Sequence, residues 1–320
     1  KSKRTEYELA VSKVRNLKKL LSDTKKEALF LNERLIQHTI LKREVDSSKI
    51  IYETLLQETK KQGLANQSQS INVWVVESAA DLEDRFGLTV LGAVSHYKEK
   101  GKTVERAVQL DSRSLIAESY KAIRTAILLS TAETPPRKLL ITSMSPKEGK
   151  TTTSSNLATT ISMNNQRVVL IDCDLRKARV HKGLEVDNSD GLSTYLAGAS
   201  EKVTVIEDSE TLGYSFIPAG PAPPNPAELL NSDRFKSLIT TLEQEYDFIL
   251  LDSPPVMNVT DSLLLSKLVD GMIIVCRSGE TNYDMLTSGL KLLNNIKAPI
   301  LGCIINGIQK KDSGYYYSYE

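Results

Sequence analysis

Cysteine is scarce in this sequence, and so are the features of a membrane span. Only Cys173, Cys276 and Cys303 occur in 320 residues. The number is odd and each lies in a short apolar run. They read as small, reduced core residues of a cytosolic fold, which excludes a disulfide scaffold. No apolar run reaches the roughly 18 residues that a membrane-crossing helix needs, and no secretory signal pattern is present. The chain starts at Lys1, not Met, as expected of a fragment or a processed form. Charge of one sign is missing too. The net charge is +1, which argues against nucleic acid held by bulk electrostatics. His38, His96 and His181 are scattered, with no metal-ligand spacing among them.

Glycine and proline are absent from about residue 5 to 62. In that stretch Tyr7, Val14, Leu21, Ala28 and Leu35 recur at seven-residue steps, with a second set at Ala10, Leu17 and Leu31. This is coiled-coil spacing. The repeat slips after His38, so either one long helix or two helices folded back on each other is expected. Gly63 and a polar run end it, and Ile71–Val76 reads as a short strand.

Beyond residue 78 strands and helices alternate. Strands are expected at 90–94, 138–142, 167–173, 214–218, 247–251, 271–276 and 299–305. Helices are expected at 114–131, 150–163, 226–244, 261–268 and 282–296. Such alternation predicts an α/β fold with a doubly wound, mostly parallel sheet, preceded by an α-helical coiled-coil segment.

The chemistry starts with "SMSPKEGKTTT" from Ser143, between a strand and a helix. It ends as a phosphate-binding loop does, although Met144 stands where the common pattern has its first glycine. Backbone N–H groups from Lys147 to Thr151 are expected to face the β- and γ-phosphates of a nucleotide. Pro146, Lys147, Glu148, Gly149, Lys150, Thr151 and Thr152 are therefore the candidate ATP-binding residues. Lys150 would sit between phosphates and the Thr151 hydroxyl would ligate Mg²⁺. Asp172 and Asp174 follow the apolar run "VVLI", and Asp252 ends "FILL". Ligands of such sheets bind beyond the carboxyl ends of the strands. The three carboxylates are thus expected beside the phosphates, forming a Mg²⁺ site with one group left for proton transfer. Asn306, at the end of the last strand, is a candidate for touching adenine, or else a turn residue before Gly307.

These motifs resemble those of the bacterial tyrosine kinases that accompany polysaccharide export, over residues 78–320. The carriers are S-x-x-P-x-E-G-K-T, Asp172-x-Asp174-x-Arg176, the strand ending in Asp252-x-x-Pro255, "AGPAPPNPAELL", "VTDSLLLSKLVDG" and a C-terminal tyrosine cluster. The related ParA/MinD-type ATPases place a second lysine five residues before the loop lysine, where Ser145 stands here. The resemblance implies a P-loop kinase domain that moves the γ-phosphate of ATP onto Tyr315, Tyr316, Tyr317 and Tyr319 of a neighbouring subunit's tail. Lys150, Asp172, Asp174 and Asp252 would be catalytic, with Asp172 accepting the phenolic proton and Thr151, Asp172 and Asp252 at the metal. It also implies a homo-oligomeric ring, an octamer for instance, built through an Glu-x-x-Arg-x-x-Arg helix. Here that motif reads Glu118, Lys121, Arg124. Arg176, Lys177, Arg179 and Lys182 form a basic stretch beside the site that either reads the charge of phosphorylated tails or is a solvated loop.

The implied domains are a coiled-coil segment at 1–76, resembling a periplasmic chain-length-determinant region, a linker at 77–112, the kinase domain at 113–311 and the tail at 312–320. A membrane helix expected near 77–78 is missing from this chain. In the intact protein the kinase would be cytoplasmic, the coiled coil periplasmic and the whole anchored in a bacterial inner membrane. Implied partners are the polysaccharide polymerase and export machinery and a cognate tyrosine phosphatase, with no nucleic acid. A ParA/MinD-like ATPase switch and an ATP-bound structural scaffold are the rival functions. Sequence does not name the polysaccharide, the ring size or the order of tyrosine phosphorylation.

Overall fold

A computed structural model describes residues 74–96, 103–131, 134–207 and 212–308. The coiled-coil reading, the 71–73 part of the first expected strand and the tyrosine tail lie outside the described residues. Contacts divide the chain into Lys1–Asn72 and Val73–Glu320. The described residues belong to the second unit.

In chain order the elements are α1 (Ala79–Phe86), β1 (Val90–Ser95), a 3₁₀ turn (Val104–Arg106), α2 (Ala107–Leu110), α3 (Leu115–Leu128), β2 (Lys138–Ser143), α4 (Lys150–Ser162) and β3 (Val168–Asp172). Then come α5 (Val180–Leu184), α6 (Leu192–Leu196), β4 (Ile206–Glu207), β5 (Ser215–Ile217), α7 (Pro226–Leu230), α8 (Asp233–Glu245), β6 (Phe248–Asp252), α9 (Asp261–Leu265), β7 (Gly271–Arg277), α10 (Tyr283–Asn295) and β8 (Ile300–Ile308). One sheet of eight strands runs in the order β1-β8-β7-β2-β6-β3-β5-β4. All pairs are parallel except β4 with β5.

The strands are near-continuous apolar runs because both sheet faces are covered. Alternate residues feed two cores. Leu140, Val169, Ile249 and Ile274 pack on one face, Leu139, Leu170, Leu250 and Ile273 on the other. The second face carries α3 and α4, and by the same alternation Asp172 and Asp252 point toward α4.

Several expectations need revision. Val75 makes an isolated antiparallel bridge to Asn282, with no ladder beyond it among the described residues. The helix expected over 226–244 is two helices, because Ser232 caps a new start with its hydroxyl accepting from the Phe235 N–H. The helix expected over 261–268 stops at Leu265. β4, α5 and α6 are too short to leave a periodic signal. The segment 77–112 contributes α1, β1 and α2 to the same compact unit as the kinase motifs.

Residues 74–77 form a strap bound to the β7–α10 loop. The Val76 N–H donates to the Thr281 carbonyl at 2.8 Å, Gly279 N–H to Val76 at 2.8 Å and Tyr283 N–H to Trp74 at 3.0 Å. Val76 is fully buried. Ser78 then caps α1 in a reciprocal box with Asp81. Residues 74–78 are thus one hydrogen-bonded course, and an insertion between Glu77 and Ser78 would break it.

Candidate active site

α4 is an unusual helix for the position it holds. Its sequence, KTTTSSNLATTIS, is rich in β-branched and hydroxyl residues with poor helix propensity. Burial on nearly every side compensates. Several of its hydroxyls bond back one turn: Ser155 to the Thr151, Thr159 to the Ser155 and Thr160 to the Asn156 carbonyl. The helix starts at Gly149, whose φ of 100° suits glycine. A Cβ there would come within 1.9 Å of Asn306 Nδ2.

The loop before α4 is held from inside. Glu148 is buried and its carboxylate accepts from the Ser145 N–H at 2.7 Å and from the Thr281 hydroxyl at 2.5 Å. Burial pushes the Glu148 carboxyl above its ordinary value, with these bonds opposing. Thr281 in turn accepts the Arg277 N–H at 2.7 Å. Asn306 donates to the Glu148 carbonyl at 3.1 Å. Met144 is fully buried, and its Sδ occupies the space that a side chain on Gly289 of α10 would need. A methionine therefore replaces the loop glycine without loosening the loop.

The charged centre lies at the first turn of α4. Lys150 Nζ stands 3.2 Å from Asp174 Oδ2 and 3.9 Å from Asp252 Oδ2. The Thr151 hydroxyl donates to Asp252 Oδ2 at 2.8 Å, and Ser154 to Asp252 Oδ1 at 3.0 Å. Asp172 is the register partner of Asp252 across β3 and β6. Asp172 accepts only backbone N–H groups, from Asp174 at 3.1 Å and Val180 at 3.3 Å. Burial first, then the charge of Asp252, push Asp172 up to about 8, against the pull of Lys150. Asp252 is raised by burial as well. Burial alone would lower Lys150, but the charges of Asp252, Asp174 and Asp172 overcome it and hold the ammonium above its usual value.

A cavity of about 650 Å³ opens over this centre. Its walls include Pro146, Lys147, Gly149, Lys150, Thr151 and Thr152 on the loop side. Asn306 and Arg277 line one flank, and Asp174, Pro254 and Pro255 the other. The structure thus brings Lys150, Thr151, Asp172, Asp174 and Asp252 together. Asp172 and Asp252 lie behind the wall that Asp174 forms. Glu148 faces inward to the loop, away from any ligand, and the Thr152 hydroxyl turns to Glu105 at 3.2 Å. On α3, Lys121 pairs with Glu118 at 2.7 Å, while Arg124 donates to the Thr160 carbonyl of its own chain at 2.9 Å. Sequence reasoning missed Thr281, Gly289 and Asp261, which meet Glu148, Met144 and Arg176 from distant parts of the chain.

The sequence profile of the AAA domain matches residues 147–300. Tyrosine-protein kinase YwqD of Bacillus subtilis (strain 168) is 34% identical over 224 residues, 68% of this chain and 94% of that protein. The chain belongs to the bacterial tyrosine kinase family. The solved kinase domain of Escherichia coli tyrosine kinase ETK is similar to it with a TM-score of 0.68 at 32% identity, covering 77% of this chain and 99% of that domain. A Klebsiella pneumoniae relative named putative tyrosine-protein kinase in cps region is 36% identical over 202 residues. That match covers 63% of this chain and 28% of the relative, so the chain spans a minor part of the longer family member. The chain carries the family's tyrosine kinase domain in its α/β, nucleotide-binding form.

Among the described residues no three His, Cys, Asp or Glu side chains converge as a ready-made metal cage. The Thr151 hydroxyl and Asp252 carboxylate, 2.8 Å apart, are hard oxygen donors of the kind Mg²⁺ takes alongside phosphate and water. They fit that ion.

Proposed function

We propose that the chain is an ATP-dependent protein-tyrosine autokinase that phosphorylates Tyr315, Tyr316, Tyr317 and Tyr319 of a neighbouring subunit. The observation that carries this reading is the convergence of Lys150, Thr151 and three strand-end aspartates at the start of α4. Amides of the loop and Lys150 bind the phosphates. Thr151 and Asp252, with Asp172 beside them, hold Mg²⁺, which when bound neutralises the charge of the phosphates. Asn306 and Arg277 border the space for the base. The phenolic oxygen attacks the γ-phosphorus, the bond to the bridging oxygen breaks and ADP leaves with the electron pair.

Asp172 takes the phenolic proton. Asp174 is engaged by Lys150, and Asp252 by two hydroxyls, whereas Asp172 has only backbone donors. Lys150 must swing toward the phosphates for a hydroxyl to reach it. Positioning and charge neutralisation still supply most of the rate.

Assembly into a ring through Glu118, Lys121 and Arg124 is part of the proposal, with an octamer as one candidate size. The Arg124 guanidinium already bonds its own chain, so Glu118 and Lys121 are the groups free to exchange partners. The cellular role is control of the polymerisation and export of a surface polysaccharide. Its partners there would be the export machinery and a tyrosine phosphatase. The kinase domain would lie on the cytoplasmic side of a bacterial inner membrane, and the coiled-coil segment of the intact protein on the periplasmic side. No described helix is long and apolar enough to cross a membrane.

A ParA/MinD-like switch is disfavoured at Ser145. Its N–H is bonded to Glu148 and its hydroxyl lies 3.3 Å from Met285 Sδ, so nothing there supplies the second cation. Incubation with γ-labelled ATP and Mg²⁺ tests the reading. Label on tyrosine is expected. Label released only as free phosphate supports the switch, and no turnover supports a scaffold.

A further inference from the structure

Charges around the cavity mouth do not balance. Lys147, Arg176, Lys177 and Arg179 line it and are exposed, against a half-buried Glu105 already engaged by Thr152. Two of these cations have evident work. Lys147 belongs to the phosphate loop. Arg176 grips the fully buried Asp261 through two bonds, at 2.9 and 3.1 Å. Lys177 and Arg179 make no ion pair among the described residues. Lys182, next in the same basic stretch, does not reach the cavity wall.

The backbone that presents them is fixed. The Lys177 N–H donates to Asp174 Oδ1 at 3.0 Å and to the Asp174 carbonyl at 3.2 Å. The Arg179 carbonyl accepts from Lys182 at 3.1 Å and Gly183 at 3.3 Å. Two unpaired cations are therefore rooted, through one short loop, in the carboxylate that holds Lys150. A solvated loop would need no such anchoring to the reacting centre.

The occupant is a second copy's residues 312–320, which place four tyrosines within five positions. In an extended chain, residues two apart lie about 7 Å from each other on one side. When one tyrosine reaches the transfer point, others of the cluster necessarily fall at the mouth. A phosphate on one of them carries nearly two negative charges and three acceptor oxygens, the group that Arg and Lys bind best.

We propose that Lys177 and Arg179 read phosphotyrosine in the acceptor tail, so that a partly phosphorylated tail is a better substrate than an untouched one. The tail is then filled in a self-accelerating series, not by independent events. The inference rests on the autokinase reading above.

The test uses the full chain and synthetic peptides of residues 312–320, unphosphorylated or carrying one phosphotyrosine. Binding is measured by fluorescence anisotropy with Mg²⁺–ADP present, and transfer with Mg²⁺–ATP. The singly phosphorylated peptide is expected to bind about tenfold tighter and to show a higher kcat/KM. The double variant Lys177→Gln/Arg179→Gln is expected to lose that preference while ADP affinity and kcat on the unphosphorylated peptide hold. Equal or weaker binding of the phosphopeptide overturns the proposal, as does a preference that survives in the variant. A binding preference without transfer to any peptide would instead sink the autokinase reading.

Discussion

Met144 and Gly289 share one space: a Cβ built on Gly289 would lie 2.2 Å from Met144 Sδ. The phosphate loop and α10 are thus fitted to each other through a methionine on one side and a missing side chain on the other. Gly289→Ala is expected to destabilise the fold by about 1–3 kcal/mol, as overpacking does. Adding Met144→Ala should recover part of the loss. Thermal unfolding of the two single variants and the double variant measures this. Additive losses would show that the two sites do not meet.

Glu148 is tied to Thr281, and through it to the end of β7. Thr281→Val keeps the shape and removes the donor, leaving a buried carboxylate short of one bond. The loop should then hold its amides less well. Titration calorimetry with Mg²⁺–ADP is expected to show roughly tenfold weaker binding, the scale of one charge-assisted bond. Unchanged affinity would mean that the loop keeps its form without this tie.

Asp172 lies behind Asp174 without a side-chain donor of its own. Asp172→Asn should abolish phosphotransfer while nucleotide binding survives. The readout is tyrosine labelling beside nucleotide affinity. A fully active variant removes Asp172 from the proton path.

Far from the site, Asp247 accepts from the Arg167 side chain at 2.9 Å and from its N–H at 2.9 Å. The Arg167 hydrogen bonds, first of all, hold the carboxyl down at about 2. Because the folded value lies below the unfolded one, near 4, the pair stabilises the fold above pH 4 and loses that contribution as pH falls toward 2. Solvent exposure keeps the effect small. Denaturant titrations at pH 7 and pH 3 should differ less in Asp247→Asn than in the parent.

Local signals made much of the site legible. The parallel-sheet strands announce themselves as unbroken apolar runs, and two of them, β3 and β6, end in an aspartate beside the first turn of α4. Asp172 and Asp252 could be found that way because register pairs them with no help from the rest of the chain. Glu148 could not. Its place beside Gly149 and Lys150 suggests a ligand contact, yet its partner Thr281 is 133 positions away and only folding brings them together. The break between α7 and α8 was hidden for the opposite reason. The apolar spacing continues across it, and a single serine hydroxyl decides the restart. Short β4 and α5 leave too few residues for any period to register.

The strap at Trp74–Glu77 has a mechanical meaning. Val76 hangs from the Thr281 carbonyl, and the hydroxyl of that same threonine steadies Glu148 beneath the triphosphate seat. A pull on Trp74 would therefore reach the loop ahead of α4 through Val76, Thr281 and Glu148.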